Sequence, residues 1–358
     1  MISSVRTPTN SDVVQRRSKS KSYRLSYRSG LGAASRLCPT PALTARRLNT
    51  SRKAPKSHNI TEKVSPEHLG LLVKTEWQLS YVTPLYRFRH TQLKSYSRQL
   101  SAFIAAEKQQ GLAIEVERPQ SSFRVSFSVV QGMVGADDDA ESVLMQIHSR
   151  PLFARQDEPQ QLVWKGWLTC VNGNPEYLRS LPKDFTCLPL LGSSGPEALT
   201  TVVKLWFQQT FDCCFGHLEI SHTSLQWLVA LWTNCHTECG IQHLKMNWTL
   251  PVAPPLQVTY TVDPQDAWVL WSSVRKDKLE VEDEEDNVDI DEVVRFIRGL
   301  KSHFYRHFQL DLSAGCLTQV STALGSAKHS GRIKISNSRY MITTLMLLTE
   351  CALLKMPI

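Results

Sequence analysis

The clearest hydrophobic pattern of the chain lies within residues 83–117. Apolar residues recur there at spacings of three and four, which places them on one face of a helix. They are Leu93, Tyr96, Leu100, Phe103 and Ile104. Gly111 follows the last periodic position, where a left-handed C-terminal cap costs least for glycine. The pattern predicts a long helix that ends at this glycine and continues into a strand at residues 113–117.

A second pattern, alternation of apolar and polar residues, predicts β-strands in the first half of the chain. These strands are residues 123–128, 143–148, 162–171 and 185–191. The turns between them, among them a polar turn at residues 137–139, are short, which favours an antiparallel sheet. An earlier helix is predicted to start at Ser65 and Pro66, and residues 68–77 place their apolar side chains, including Trp77, on one side of it.

The second half of the chain mixes both patterns. Predicted helices are residues 197–211, 224–235, 264–274, 289–308 and 340–354. Predicted strands are residues 244–250, 258–262, 317–322 and 331–336. The last apolar segment is shorter than the roughly 20 residues of a membrane-spanning helix, and Glu350 interrupts it, so a buried helix is predicted. The fold class is α+β, with antiparallel sheets and packed helices in two subdomains, residues 65–200 and 201–358.

Charge separates a tail from this body. Residues 1–64 contain 14 Lys and Arg and two acidic residues, a net charge of +12, whereas the remaining 27 basic and 31 acidic residues give −4. The tail has little apolar surface to bury, so we predict that residues 1–64 are disordered. A basic cluster at residues 16–21 suits nuclear import, DNA-backbone binding, a mitochondrial transit peptide or a plain solvated charge run. Thr7-Pro8 and Thr40-Pro41 are candidate phosphorylation sites for proline-directed kinases, or ordinary turns.

The residues that catalyse reactions elsewhere do not form a recognisable site here. The nine cysteines predict reduced, mostly buried thiols of an intracellular protein. Cys235, Cys239 and His243 have a weak zinc-like spacing, with Cys213 or Cys214 as a fourth ligand. His303 and His307 share a helix face but lack the glutamate of a metalloprotease motif. The sequence has no nucleophile elbow, phosphate-binding glycine loop or dinucleotide fingerprint, so it predicts no enzyme and no cofactor.

Basic residues on two predicted helices are candidates for binding nucleic acid. Arg295, Arg298 and Arg306 lie opposite the apolar face of residues 289–308. Lys94, Arg98 and Lys108 lie opposite the apolar face of the first long helix. Each stripe suits contact with DNA phosphates, and each also suits an ordinary solvated helix face.

Specific motifs make the chain resemble the centromere protein L family of the inner kinetochore. They are TPLY-x-F from Thr83, the run from Leu93 to Val116, WKGW from Trp164, DFTCLPL from Asp184, WFQQTFDC from Trp206 and SHFYRHF from Ser302. The resemblance covers most of residues 65–354 and implies a non-enzymatic nuclear protein at the centromere and kinetochore. It implies a heterodimer with centromere protein N, formed chiefly through the C-terminal half, and contacts with centromere protein C and the centromere protein H/I/K/M group. It also implies help in holding centromeric nucleosome DNA, with no membrane and no small-molecule substrate.

Two alternatives belong to other classes: a stand-alone DNA-binding nuclear protein without an obligate partner, and a degenerate enzyme. For the heterodimer, the late strand at residues 331–336 is the predicted partner site. Ile333 and Ile335 alternate there with Arg332 and Lys334, and a late strand often forms a sheet edge that another chain can extend. An internal, fully paired strand is the alternative.

Overall fold

The computed structural model of the chain describes residues 52–53, 64, 66–110, 123–149, 160–234, 243–276 and 287–356. All of these residues belong to one compact unit, Pro39–Ile358, and a second unit, Met1–Cys38, lies outside them. The helices are α1 (Pro66–Leu72), α2 (Leu93–Gln110), α3 (Pro175–Ser180), α4 (Glu197–Phe211), α5 (His222–Asn234), α6 (Pro264–Lys276), α7 (Ile290–Phe308) and α8 (Met341–Lys355).

The strands that precede α5 are β1 (Arg52–Lys53), β2 (Glu76–Val82), β3 (Leu85–Tyr86), β4 (Phe123–Val130), β5 (Ser142–Ser149), β6 (Gln161–Thr169), β7 (Phe185–Thr186), β8 (Leu190–Ser194) and β9 (Phe215–His217). Those that follow it are β10 (Leu244–Leu250), β11 (Leu256–Val262), β12 (Asn287–Val288), β13 (Cys316–Ser321), β14 (Gly325–Lys328) and β15 (Arg332–Ile335). The mixed composition confirms the predicted α+β class.

One 11-stranded antiparallel sheet organises the body. Its order is β11-β10-β13-β14-β15-β2-β8-β6-β5-β4, and β9 pairs with part of β2. The small pairs β1-β12 and β3-β7 lie outside it. Strand β2 joins the two halves of the chain, because Trp77 lies opposite Ile333 on β15 while Leu79 lies opposite Gly192 on β8.

Two hydrophobic clusters cover this sheet. The larger packs α5 to α8 against strands β10 to β15, with buried residues such as Trp248, Phe296 and Leu345. The smaller packs α2 and α4 against β4 to β6, with buried residues such as Leu100 and Trp206. The sheet runs through both clusters without interruption, and Trp206 belongs to the cluster of the first half. The predicted subdomain boundary at residues 200/201 stays a prediction.

The two ends of the sheet differ. At one end, helix α2 covers the outer side of β4: the hydroxyl of Ser101 donates to the carbonyl of Phe123 at 2.7 Å, and the amide of Phe127 donates to the hydroxyl of Ser97 at 3.1 Å. At the other end, no described residue pairs with the outer side of β11. The sheet therefore has one edge closed by side chains and one edge open within the described part of the chain.

Asp139 ties together the loops at one end of β5 and β6. The sequence pattern indicated a polar turn at residues 137–139, yet this side chain is buried. Its carboxylate accepts hydrogen bonds from the backbone amides of Gly135, Ala136, Asn172 and Gly173 at 2.6–2.9 Å. A buried carboxylate is tolerated because these donors replace the water that it loses.

Three predictions need correction or qualification. Trp77 belongs to strand β2 and not to the first helix, which ends at Leu72. Val64, the last residue of the predicted tail, is buried at 2 % exposure, so the body begins earlier than predicted. The predicted strand at 113–117 and the rest of residues 1–63, apart from Arg52–Lys53, lie outside the described residues.

Candidate nucleic-acid and partner surfaces

Helix α7 presents the first predicted basic stripe. Asp289 and Glu292 form a capping box at its start, with the Asp289 amide donating to the Glu292 carboxylate at 2.7 Å. The apolar face of the helix is buried, so the exposed side chains of Arg295, Arg298 and Arg306 point the other way. The structure thus places all three arginines on the solvent side, as predicted.

An open groove of about 730 Å³ runs along part of this helix. Arg298 and Arg306 line it together with Lys301, Tyr305 and Val294, whereas Arg295 lies outside it. The structure therefore divides the stripe into two arginines within a groove and one beside it. The side chains of Tyr305 and Val294, 49 % and 42 % exposed, give the groove an apolar component.

Lys301 is a half-buried cation of the groove lining. Its ammonium group lies 4.9 Å from the centre of the Trp248 ring, and burial lowers its pKa. Asp311 is the acidic residue of the lining, and hydrogen bonds from Ser313 lower the pKa of its carboxyl group. Three cations face one anion, so the lining carries a net positive charge.

The second predicted stripe lies at the far end of the sheet. Lys94 and Arg98 are exposed on α2, which covers β4, while the side chain of Lys108 lies outside the described residues. Helix α7 packs in the cluster at the β10 and β11 end. The structure does not bring the two stripes together.

The position of strand β15 contradicts the prediction that residues 331–336 form a sheet edge for a partner chain. Its register pairs Ile333 with Ala327 of β14 on one side and with Trp77 of β2 on the other. Both neighbours are themselves internal strands. The prediction that residues 331–336 or a neighbouring strand form a sheet edge is therefore wrong, because β2 reaches this position from the opposite end of the sequence.

The side chains of β15 nevertheless divide as predicted. Ile333 and Ile335 are buried at 1 % and 4 % exposure, and Arg332 and Lys334 are exposed on the opposite face. The helices of the larger cluster cover the isoleucine face, so Arg332 and Lys334 belong to a face of the sheet that these helices leave open.

Other strands extend this open face, and sequence patterns did not single it out. Across the register, Lys334 lies opposite Ser326 and Glu76, Ser326 opposite Ser321, and Ser321 opposite Lys245. Lys328 on the same face forms an ion pair of 3.1 Å with Glu76. The six strands from β11 to β2 carry four cations and one acidic residue, Glu76. Alternation within each strand indicated a polar side, but only the pairing shows that these polar sides share one surface.

Only some of the candidate metal ligands lie within the described residues. Cys235 and Cys239 lie outside the described residues, and within the described ranges no three His, Cys, Asp or Glu side chains form a metal-binding group. The rings of His303 and His307 are 4.6 Å apart, and His303 Nδ1 lies 2.6 Å from the hydroxyl of Tyr260. Burial raises the pKa of Tyr260 to about 12. This contact ties α7 to strand β11.

Among the described helices, none has the length and apolar composition that would let it cross a membrane.

Comparison with known proteins identifies the family. The family model described as "Centromere protein L" matches residues 71–353. The chain belongs to the centromere protein L family.

Curated members of the centromere protein L family agree with this match. The zebrafish (Danio rerio) protein is 56 % identical over 356 residues, which are 99 % of this chain and 94 % of the relative. The human protein is 41 % identical over 84 % of this chain and 86 % of its own length, and the chicken protein 41 % over 82 % and 83 %. The predicted membership in the centromere protein L family is confirmed, and the matched range contains both the α7 groove and the open sheet face.

Proposed function

We propose that this chain is a non-enzymatic subunit of the constitutive inner-kinetochore assembly that helps hold the DNA of the centromeric nucleosome. In this proposal it forms a heterodimer with centromere protein N and contacts centromere protein C and the centromere protein H/I/K/M group. Membership in the centromere protein L family supports the place in the cell. The observation that carries the DNA contact is the open sheet face, where Lys245, Lys328, Arg332 and Lys334 face one acidic residue, Glu76.

The shape of this face suits a nucleic-acid backbone. Six neighbouring strands span about 24 Å at the usual spacing between strands. Several of its other side chains are short and polar, for example Ser321 and Ser326, so a phosphate backbone can approach the strands closely there. Contacts of this kind neutralise phosphates and release counterions without reading sequence. The surface therefore fits a subunit that holds DNA independently of its base sequence.

The α7 stripe of Arg295, Arg298 and Arg306 and the α2 stripe of Lys94, Arg98 and Lys108 remain proposed DNA contacts. The α7 stripe lies on the other side of the body, because the helices of the larger cluster separate it from the open sheet face. One straight duplex cannot contact both surfaces at once. The sheet face is the better supported of the two, since its cations lie on paired strands of fixed register.

The open edge at β11 is the proposed site of the heterodimer. Its seven residues, Leu256–Val262, carry no charge and no proline, which are the usual means of protecting an exposed edge. Leu256 is exposed there. A strand of centromere protein N that pairs with β11 would satisfy its outer backbone groups. This site lies in the C-terminal half, where the resemblance to the family placed the interface.

The test compares two triple variants of the full chain, assembled with centromere protein N. One carries Lys245→Ala, Arg332→Ala and Lys334→Ala, and the other carries Arg295→Ala, Arg298→Ala and Arg306→Ala. Binding to a DNA duplex is measured across a range of salt concentrations. Loss of phosphate contacts should reduce the log–log slope by about 0.9 for each contact. We expect the sheet-face variant to lose about two to three units and the α7 variant to lose less.

An unchanged slope in both variants would refute DNA contact by either surface. Size-exclusion chromatography with light scattering distinguishes the alternative function. A monomer that binds DNA tightly without centromere protein N would favour the stand-alone DNA-binding protein.

A further inference from the structure

We propose that Thr40, once phosphorylated, docks within the same chain into the groove along α7. This inference does not depend on the proposed DNA contact. It rests on three observations: the charge of the groove, the place where the N-terminal segment joins the body, and the sequence around Thr40.

The groove has the positive charge that a binding site for a dianion requires. Arg298, Lys301 and Arg306 face Asp311, which leaves a net charge of +2 in the lining. A phosphothreonine carries a charge of about −2 at neutral pH and offers three acceptor oxygens. Arginine binds such a group with two parallel hydrogen bonds, so Arg298 and Arg306 are suitable partners. An anion would also offset the cost of the partly buried charge of Lys301.

The N-terminal segment joins the body beside this helix. Strand β1, Arg52–Lys53, pairs with Asn287–Val288, and α7 begins at Ile290. Arg298 lies about 12 Å along the helix from Ile290, and Arg306 about 24 Å. Thr40 and Arg52 are twelve residues apart in sequence, and a flexible chain of that length would have a root-mean-square span of about 20 Å. A tether whose mean span matches the distance gives the highest effective concentration.

The sequence around Thr40 suits the groove only after modification. Residues 37–45, LCPTPALTA, contain no charged side chain, although the flanking tail is strongly basic. Without a phosphate, the segment has no negative charge that would attract it to the cationic groove. With a phosphate, an isolated dianion precedes Leu43, whose side chain can contact the exposed apolar surface of Tyr305 and Val294. The modification thereby acts as a switch.

The covalent step needs a proline-directed protein kinase with ATP, because Thr40 precedes Pro41. The hydroxyl oxygen of Thr40 forms a bond to the γ-phosphorus of ATP, and the bond from that phosphorus to the bridging oxygen breaks. The hydroxyl proton passes to the base of the kinase, and ADP leaves. Thr7, the other Thr-Pro site of the tail, is 45 residues from Arg52, so a phosphate there has an effective concentration at the groove that is lower by about sevenfold.

The test uses the full chain with phosphothreonine introduced at position 40 during synthesis. Phosphorus NMR follows the second ionisation of the phosphate as pH changes. Neighbouring guanidinium groups favour the dianion, so we expect the midpoint to fall by about one pH unit relative to a phosphopeptide of residues 34–46. In the Arg298→Ala, Arg306→Ala double variant, the midpoint should return to that of the phosphopeptide. Arg295→Ala is the matched control, because Arg295 lies on the same helix outside the groove.

A midpoint equal to that of the free phosphopeptide would overturn the proposal, as would a lowered midpoint that survives in the double variant. A shift that grows with protein concentration would show that one chain docks on another, which also overturns it. A chain with phosphothreonine at position 7 should show a smaller fall in the phosphate midpoint than the chain modified at position 40. Circular dichroism confirms that each variant is folded, which we expect because Arg298 and Arg306 are exposed.

Discussion

The carboxylate of Asp139 accepts a hydrogen bond of 2.6 Å from the backbone amide of Asn172, 33 residues later in the chain. The same carboxylate satisfies three further buried or half-buried backbone amides. We predict that Asp139→Ala lowers the free energy of unfolding by about 3 kcal/mol, because several amides lose their acceptor. Urea unfolding measures the loss. Asp137→Ala, at an exposed position of the same loop, should have little effect, and equal losses in both variants would contradict this explanation.

Gly331 precedes β15 with φ near +72°. A side chain there would also meet the carbonyl oxygen of Leu218. We predict that Gly331→Ala destabilises the body by about 1–3 kcal/mol, since both the backbone conformation and the space favour glycine. The control is Gly70→Ala in α1, where no atom lies within 4 Å of the added carbon, and a small gain in stability is expected. Thermal unfolding of the two variants gives the comparison.

Truncation of the tail tests where the body begins. Removal of residues 1–51 should leave the melting temperature unchanged, because the sequence gives them little apolar surface to bury. Removal of residues 1–64 should cost about 1.5–3 kcal/mol, since it deletes the buried side chain of Val64 together with strand β1. Calorimetry on both truncations measures the difference. Equal stability of the two proteins would show that neither Val64 nor β1 contributes.

A proline scan tests the open edge of the sheet. In an antiparallel strand, amides alternate between the inner and the outer partner. Of Val258→Pro and Thr259→Pro, one should disrupt the pairing with β10, and the other should remove an outward amide and leave the body folded. The folded variant should lose co-purification with centromere protein N. If it retains the partner, β11 is not the interface.

Tyr260 gives a prediction about pH. Its pKa is raised to about 12 by burial, so the folded state holds the phenol proton more tightly than the unfolded state. The resulting stability is complete below pH 10 and is lost as pH rises towards 12. We expect the difference in unfolding free energy between the wild type and Tyr260→Phe to shrink between pH 9 and pH 11.5, roughly across the window that the two pKa values set. Absorbance at alkaline pH follows ionisation of the phenol. A constant difference would contradict the assignment.

Local patterns predicted much of the fold. The apolar periodicity identified α2, α4 and α7, and the alternation identified β4 and β10, because these signals depend on residues close in sequence. Trp77 is predicted to lie in a helix because it continues the four-residue spacing of Leu69 and Val73. Its place in β2 depends on pairing with Ile333, which lies far beyond any local window.

Pairing between distant segments also explains why the sequence did not predict the open sheet face. Alternation showed that Arg332 and Lys334 share one side of a strand, but it carries no information on which strands lie beside it. The neighbours Ser326 and Glu76 come from segments on either side in the sheet, and one of them lies near the start of the body. Asp139 was misread for a related reason. Its donors Asn172 and Gly173 follow a different strand, so sequence proximity suggested only a solvated turn.

The position of β2 between β15 and β8 has a consequence for biosynthesis. Trp77 leaves the ribosome more than 250 residues before its partner Ile333. At about 5–20 residues per second, that interval lasts about 13–50 s. Throughout it, the side of β2 that pairs with β15 lacks its native partner, so the nascent chain exposes an unpaired strand edge until translation is nearly complete. Chaperone occupancy on ribosome-bound chains should therefore persist until residues 332–335 emerge, and fall soon afterwards.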